Sequence, residues 1–138
     1  MKNILMIAYH FPPVRVSSGI QRTLKFSQYL LDHNWRAVVL TVNPMAYENI
    51  SNDQMLEIPE KVVVKRVFAL DTARHLTLKE RYFHWMVLPD RWVTWCFSGV
   101  FSGLTLIKKY QPKFIWSSYP IATAHLIALI LYFPHLKI

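Results

Sequence analysis

Cysteine, glycine and, towards the C-terminus, carboxylate are scarce in this 138-residue chain. A single cysteine, Cys96, excludes a disulfide-stapled scaffold. With only 3 glycines and 53% hydrophobic residues, neither a collagen-like fibre nor a disordered tail fits. Zinc needs three or four converging ligands. The histidines at positions 10, 33, 75, 84, 125 and 135 are scattered, so no metal site is expected. Residues 91–138 hold no Asp or Glu at all.

Long uninterrupted apolar runs are missing too. The N-terminal run is short, lacks a small-residue cleavage site and meets Phe11-Pro12-Pro13, which suits an opening strand better than a signal peptide. Residues 92–107 carry no charge and contain Gly99-xxx-Gly103, a spacing that lets membrane helices approach closely. Their length gives a helix of only about 24 Å, against a hydrocarbon core of ~30 Å. Residues 114–136 are interrupted by Ser117, Ser118, Pro120 and His125, and divide into a buried strand and a buried helix. A cytoplasmic chain is expected, with peripheral attachment at the inner face of the cell membrane as the companion expectation.

What the chain has in excess is positive charge: 16 Lys+Arg against 8 Asp+Glu, a net +8. By segment the net is +4 over residues 1–36, −4 over 37–60, +3 over 61–90 and +5 over 91–138. Such a field favours phosphate-bearing partners or an anionic membrane surface. Nucleic acid is not the expected partner, because no Lys/Arg cluster, zinc-ligand spacing or aromatic-basic ribonucleoprotein motif is present.

The patterning predicts strands over 3–9, 36–42, 61–68 and 113–118, and the start of another at 135–138. Helical spacing covers 19–33, and Ser51 can cap a short helix after a polar, acidic stretch. A long connection over 69–90 includes a short helix near 78–86. Asp90 can cap a helix over 91–110, and Pro120 suits the first position of a helix running through 131. This order points to an open α/β sheet with right-handed crossovers, whose ligands bind beyond the strand carboxyl ends. The loops at 10–19 and 117–120 are therefore the places to look.

In the first loop, Ser17 or Ser18 can cap the following helix, Gly19 permits close backbone approach, and Arg15 and Arg22 add charge. Together they make a phosphate seat, although neither a Walker loop nor G-x-G-x-x-G is present. A capped helix start behind a proline-stiffened turn explains the same residues. In the second loop, hydroxyls precede His125, which reads as a packed, hydrogen-bonded histidine more readily than as a catalytic one. Cys96, mid-helix with no base beside it, reads as a core thiol. Residues 81–95 interleave Arg81, Trp85, Arg91 and Trp92. They suit either a membrane-surface patch or a helix pair packing aromatics on the sheet.

Taken together, AYHFPPVRVSSGIQRTLKFSQYL followed by WRAVVLTV, LPDRW at 88–92 and IWSSYPIATAHLI at 115–127 resemble the N-terminal domain of family 4 glycosyltransferases of the GT-B fold. The resemblance covers essentially the whole chain. It implies a Rossmann-like open parallel sheet with flanking helices, forming the acceptor-side half of a metal-independent enzyme that needs no cofactor. Such enzymes move a sugar from a nucleotide-sugar to a glycan or lipid-linked acceptor, often in cell-envelope polysaccharide or glycolipid synthesis. It further implies that Ser17, Ser18, Gly19 and Arg22 face the donor diphosphate, with His10, Tyr119 and His125 on the cleft and acceptor side. Many members carry Gly-Gly where this chain has Ser18-Gly19. Members continue into a second domain that holds most of the nucleotide-sugar, so the resemblance makes this chain an incomplete N-terminal portion, inactive alone. Two other readings stay open: a non-catalytic module binding a membrane surface or partner protein, and a small nucleotide-binding α/β protein.

Overall fold

The computed structural model describes residues 1–15, 18–70 and 90–135. Strand β1, Lys2–Ile7, is apolar on both sides because both sides are covered. Leu5 and Ile7 enter one core with Val38, Leu40 and Val42, while Ile4 and Met6 enter a second with Ala37 and Val39. Its neighbours are β2, Trp35–Val42, and β4, Phe114–Ser117; β3, Val63–Val67, completes the sheet. All pairings are parallel and the spatial order is β3-β2-β1-β4, with Leu5 opposite both Val38 and Ile115. This is a Rossmann-like α/β sheet, and the chain direction across it reverses between β1 and β4.

Helix α1, Ser18–Asp32, covers the second core through Leu24, with Phe26, Leu30 and Leu31 packed around it. It stops at a turn where Asn34 takes a left-handed φ of 61°, a conformation that asparagine tolerates better than most residues. Helices α2, Trp95–Tyr110, and α3, Ala122–His135, cover the first core. Here the Gly99-xxx-Gly103 spacing serves a close contact between these two helices. A Cβ on Gly99 would lie 2.7 Å from Ile127 Cδ1, and one on Gly103 would meet Leu131 Cδ1. Both contacts advance four residues in the same direction, so α2 and α3 run side by side in parallel. No helix among the described residues is long and apolar enough to cross a membrane.

Several expected boundaries move. The second helix starts at Trp95, not at residue 91, because residues 91–94 form turns. Asp90 does not cap that helix. Its Oδ1 accepts from the Trp92 backbone N–H, and the carboxylate is otherwise committed to Thr123, as described below. Pro120 does not open α3, which begins at Ala122 after a cis Tyr119–Pro120 bond. Helix α3 continues past 131 to His135, so that residue does not begin a strand; residues 136–138 lie outside the described chain, as does the short helix expected near 78–86. Cys96 is the second residue of α2 and only partly buried; burial raises its thiol pKa, which keeps it protonated.

Candidate functional site

Two tyrosines organise the carboxyl edge of the sheet. Just past β1, Tyr9 donates its hydroxyl to the Ala46 carbonyl at 3.1 Å, while Tyr47 donates to the Tyr9 carbonyl at 2.6 Å. Thr41 donates to that same carbonyl at 3.2 Å. The Tyr9 ring also meets His10, Tyr47, Trp92 and Trp95, with centroids between 4.9 and 5.8 Å. Desolvation raises the Tyr47 pKa, which keeps the phenol a donor.

The loop after β1 is fastened over this base. Arg15 N–H donates to Asn49 O at 2.9 Å, Ser51 N–H donates to Pro13 O at 2.7 Å, and Val14 bridges Ile50. From below, the Arg66 guanidinium of β3 donates to Pro12 O. Burial lowers the Arg66 pKa, partly countered by the Tyr47 oxygen.

Between the loop and the tyrosines lies a cleft of about 240 Å3. His10, Arg15, Glu48, Asn49, Arg91 and Trp92 supply its polar and aromatic walls. Arg91 and Glu48 pair across it at 3.6 Å, and Arg91 also lies 5.3 Å from the Trp92 ring centroid. Burial holds His10 below its ordinary 6.5, so its imidazole is neutral at pH 7. A neutral imidazole, an amide, a carboxylate and two guanidinium groups beside aromatic faces can hydrogen-bond a hydroxylated ligand and neutralise an anionic one.

Opposite, Ser118 N–H donates to Ile7 O at 3.0 Å and ties the second loop to the end of β1. Asp90 reaches this loop as well: its Oδ2 accepts from Thr123 N–H and its Oδ1 from the Thr123 hydroxyl, both at 2.7 Å. It thereby satisfies a free N–H in the first turn of α3. His125 is exposed in that first turn and not packed inside the helix; its Nδ1 lies 2.7 Å from Ser117 Oγ.

The structure thus gathers His10, Arg91 and Trp92, which had been assigned to different roles. Ser18 and Arg22 are exposed on the first turns of α1, and Gly19 is buried with its carbonyl accepting from Thr23 at 2.9 Å. Ser18, Arg22, Tyr119 and His125 do not line the cleft. Ser17, Arg81 and Trp85 lie outside the described residues. Tyr47, Glu48 and Asn49 were missed, since they sit in an aperiodic polar stretch; the aromatic beside two hydrogen-bonding residues was its only signal. Among the described residues, no group of His, Cys, Asp and Glu could hold a metal ion.

No family model, curated protein or solved structure matches the chain. The chemistry of the cleft therefore rests on its own geometry.

Proposed function

We propose that these residues form the acceptor-side portion of a glycosyltransferase that moves a sugar from a nucleotide-sugar to a glycan or lipid-linked acceptor, in cell-envelope polysaccharide or glycolipid synthesis. The observation that carries the proposal is the cleft's position. It opens at the carboxyl edge of a parallel sheet of order β3-β2-β1-β4, between the loops that follow the neighbouring strands β1 and β2, and ligands of such sheets bind beyond this edge. Its walls also suit a sugar, with Trp92 as an aromatic face and Glu48, Asn49 and neutral His10 as hydroxyl partners.

In this proposal the cleft orients the acceptor hydroxyl, and the start of α1 with Arg22 faces the leaving diphosphate. The rate then depends on positioning and on electrostatic stabilisation of the departing charge. The sequence resemblance assigns most nucleotide-sugar contacts to a second domain, so residues 1–138 are proposed to supply acceptor binding rather than donor binding.

Isothermal titration tests this with two panels, short oligosaccharides with lipid-linked analogues and nucleoside diphosphates. Saturable binding of a glycan, with weak or no binding of nucleoside diphosphates, is the expected pattern. Tight nucleoside diphosphate binding with no glycan response would replace the proposal with a nucleotide-binding protein.

A further inference from the structure

Helix α2 has a second face that the sheet does not use. Phe97, Phe101 and Leu104 follow one another at helical spacing, and Lys108 continues their stripe. The two phenylalanines are 83% and 77% exposed, and Leu104 is exposed too. Phe68, also exposed, is held alongside, because Ser98 of α2 donates to its carbonyl. The neighbouring helix α3 adds exposed Leu129, Tyr132 and Phe133 to the same helical layer. Exposed apolar side chains are ordinary when scattered, but several along one helical stripe mark a surface that is covered in use.

Charge selects what covers it. Beside the stripe, Phe101, Thr105 and Lys109 of α2 face Lys65 of the edge strand β3 across a groove of about 340 Å3. Lys65, Lys108 and Lys109 are all exposed, with no Asp or Glu in either helix. The carboxylates near the start of α2 are committed elsewhere: Asp90 is bonded to Thr123 and Trp92, and Glu48 pairs with Arg91. A second copy docked face to face about a two-fold axis would bring like charges together. An anionic bilayer instead meets both features: aromatic rings enter the headgroup boundary while lysine stems lie along it and their ammonium groups reach lipid phosphates.

We infer that the exposed face of α2, with the Lys65/Lys109 groove, is a docking surface for an anionic membrane. This surface lies on different residues from the cleft, and the inference does not depend on the glycosyl-transfer proposal.

Co-sedimentation of the purified chain with vesicles tests it. Binding to phosphatidylglycerol/phosphatidylcholine vesicles is expected, with little to pure phosphatidylcholine, and weakening as salt rises. F97S/F101S and K108E/K109E should each lower the partition coefficient by about tenfold or more, the first by removing the aromatic area that enters the headgroup boundary and the second by reversing two charges that attract anionic lipid. Y29S, which removes an exposed aromatic on α1, should bind as wild type. Circular dichroism of each variant identifies any loss caused by unfolding, and single F97S and K108E changes then supply milder tests. Equal binding to neutral and anionic vesicles, or wild-type binding by both folded double variants, would overturn the inference. So would a stable dimer that F97S/F101S disperses in a chain that ignores vesicles.

Discussion

Tyr9 and Tyr47 clasp each other: the Tyr9 hydroxyl binds the carbonyl just before Tyr47, the Tyr47 hydroxyl binds the Tyr9 carbonyl, and their rings meet edge to face at 5.5 Å. One strand end and the turn after its neighbour are thereby joined at the floor of the cleft. Tyr47→Phe keeps the ring but removes a hydroxyl that shares the Tyr9 carbonyl with Thr41. Urea unfolding should show a loss of about 1–2 kcal/mol.

Asp90 joins two elements 33 positions apart, holding the Thr123 N–H and hydroxyl. Asp90→Ala should cost about 2 kcal/mol, combining a lost helix cap with charge-assisted hydrogen bonds. Asp90→Asn keeps one acceptor oxygen and should recover part of that loss. Equal stability of all three proteins in a thermal melt would remove the cap from the account.

Gly103 admits Leu131 into the α2 surface. Valine there would drive its methyl groups into a fully buried leucine, and its low helix propensity brings little in return. Gly103→Val should destabilise by about 1–3 kcal/mol. Gly103→Val with Leu131→Ala, which opens space opposite, should cost less than the two single changes added together.

His10 gives the cleft a pH dependence of known sign. Its folded pKa is below 6.5, so the unfolded chain takes up the proton more readily. The contribution from neutral His10 is complete above 6.5, declines as pH falls through that value, and levels off below the folded pKa. Urea midpoints at several pH values should therefore separate wild type from His10→Gln on the acidic side. An imidazole titration by NMR should have its midpoint below 6.5.

The sheet was legible because its strands are short apolar runs and α1 has a clear 3.6-residue period, signals that survive without knowledge of contacts. The start of α2 was not, because Asp90 beside an apolar run looks like a local cap while its carboxylate serves a helix that follows much later. His125 misled similarly: its neighbours are apolar, yet the helix turns it outward to Ser117. The cleft was half legible. His10, Arg91 and Trp92 stood out as residue types, whereas Tyr47, Glu48 and Asn49 became a wall only when the loop after β1 paired with residues 49–51.

The central claim is that the Tyr9–Tyr47 cleft receives a sugar acceptor, and residue-resolved NMR titration with the oligosaccharide panel tests it most directly. Saturable shifts centred on His10, Tyr47, Asn49 and Trp92, abolished by Trp92→Ala in a folded chain, are the predicted result. The absence of saturable shifts at these residues with every glycan tried, or shifts confined to other faces, would contradict it.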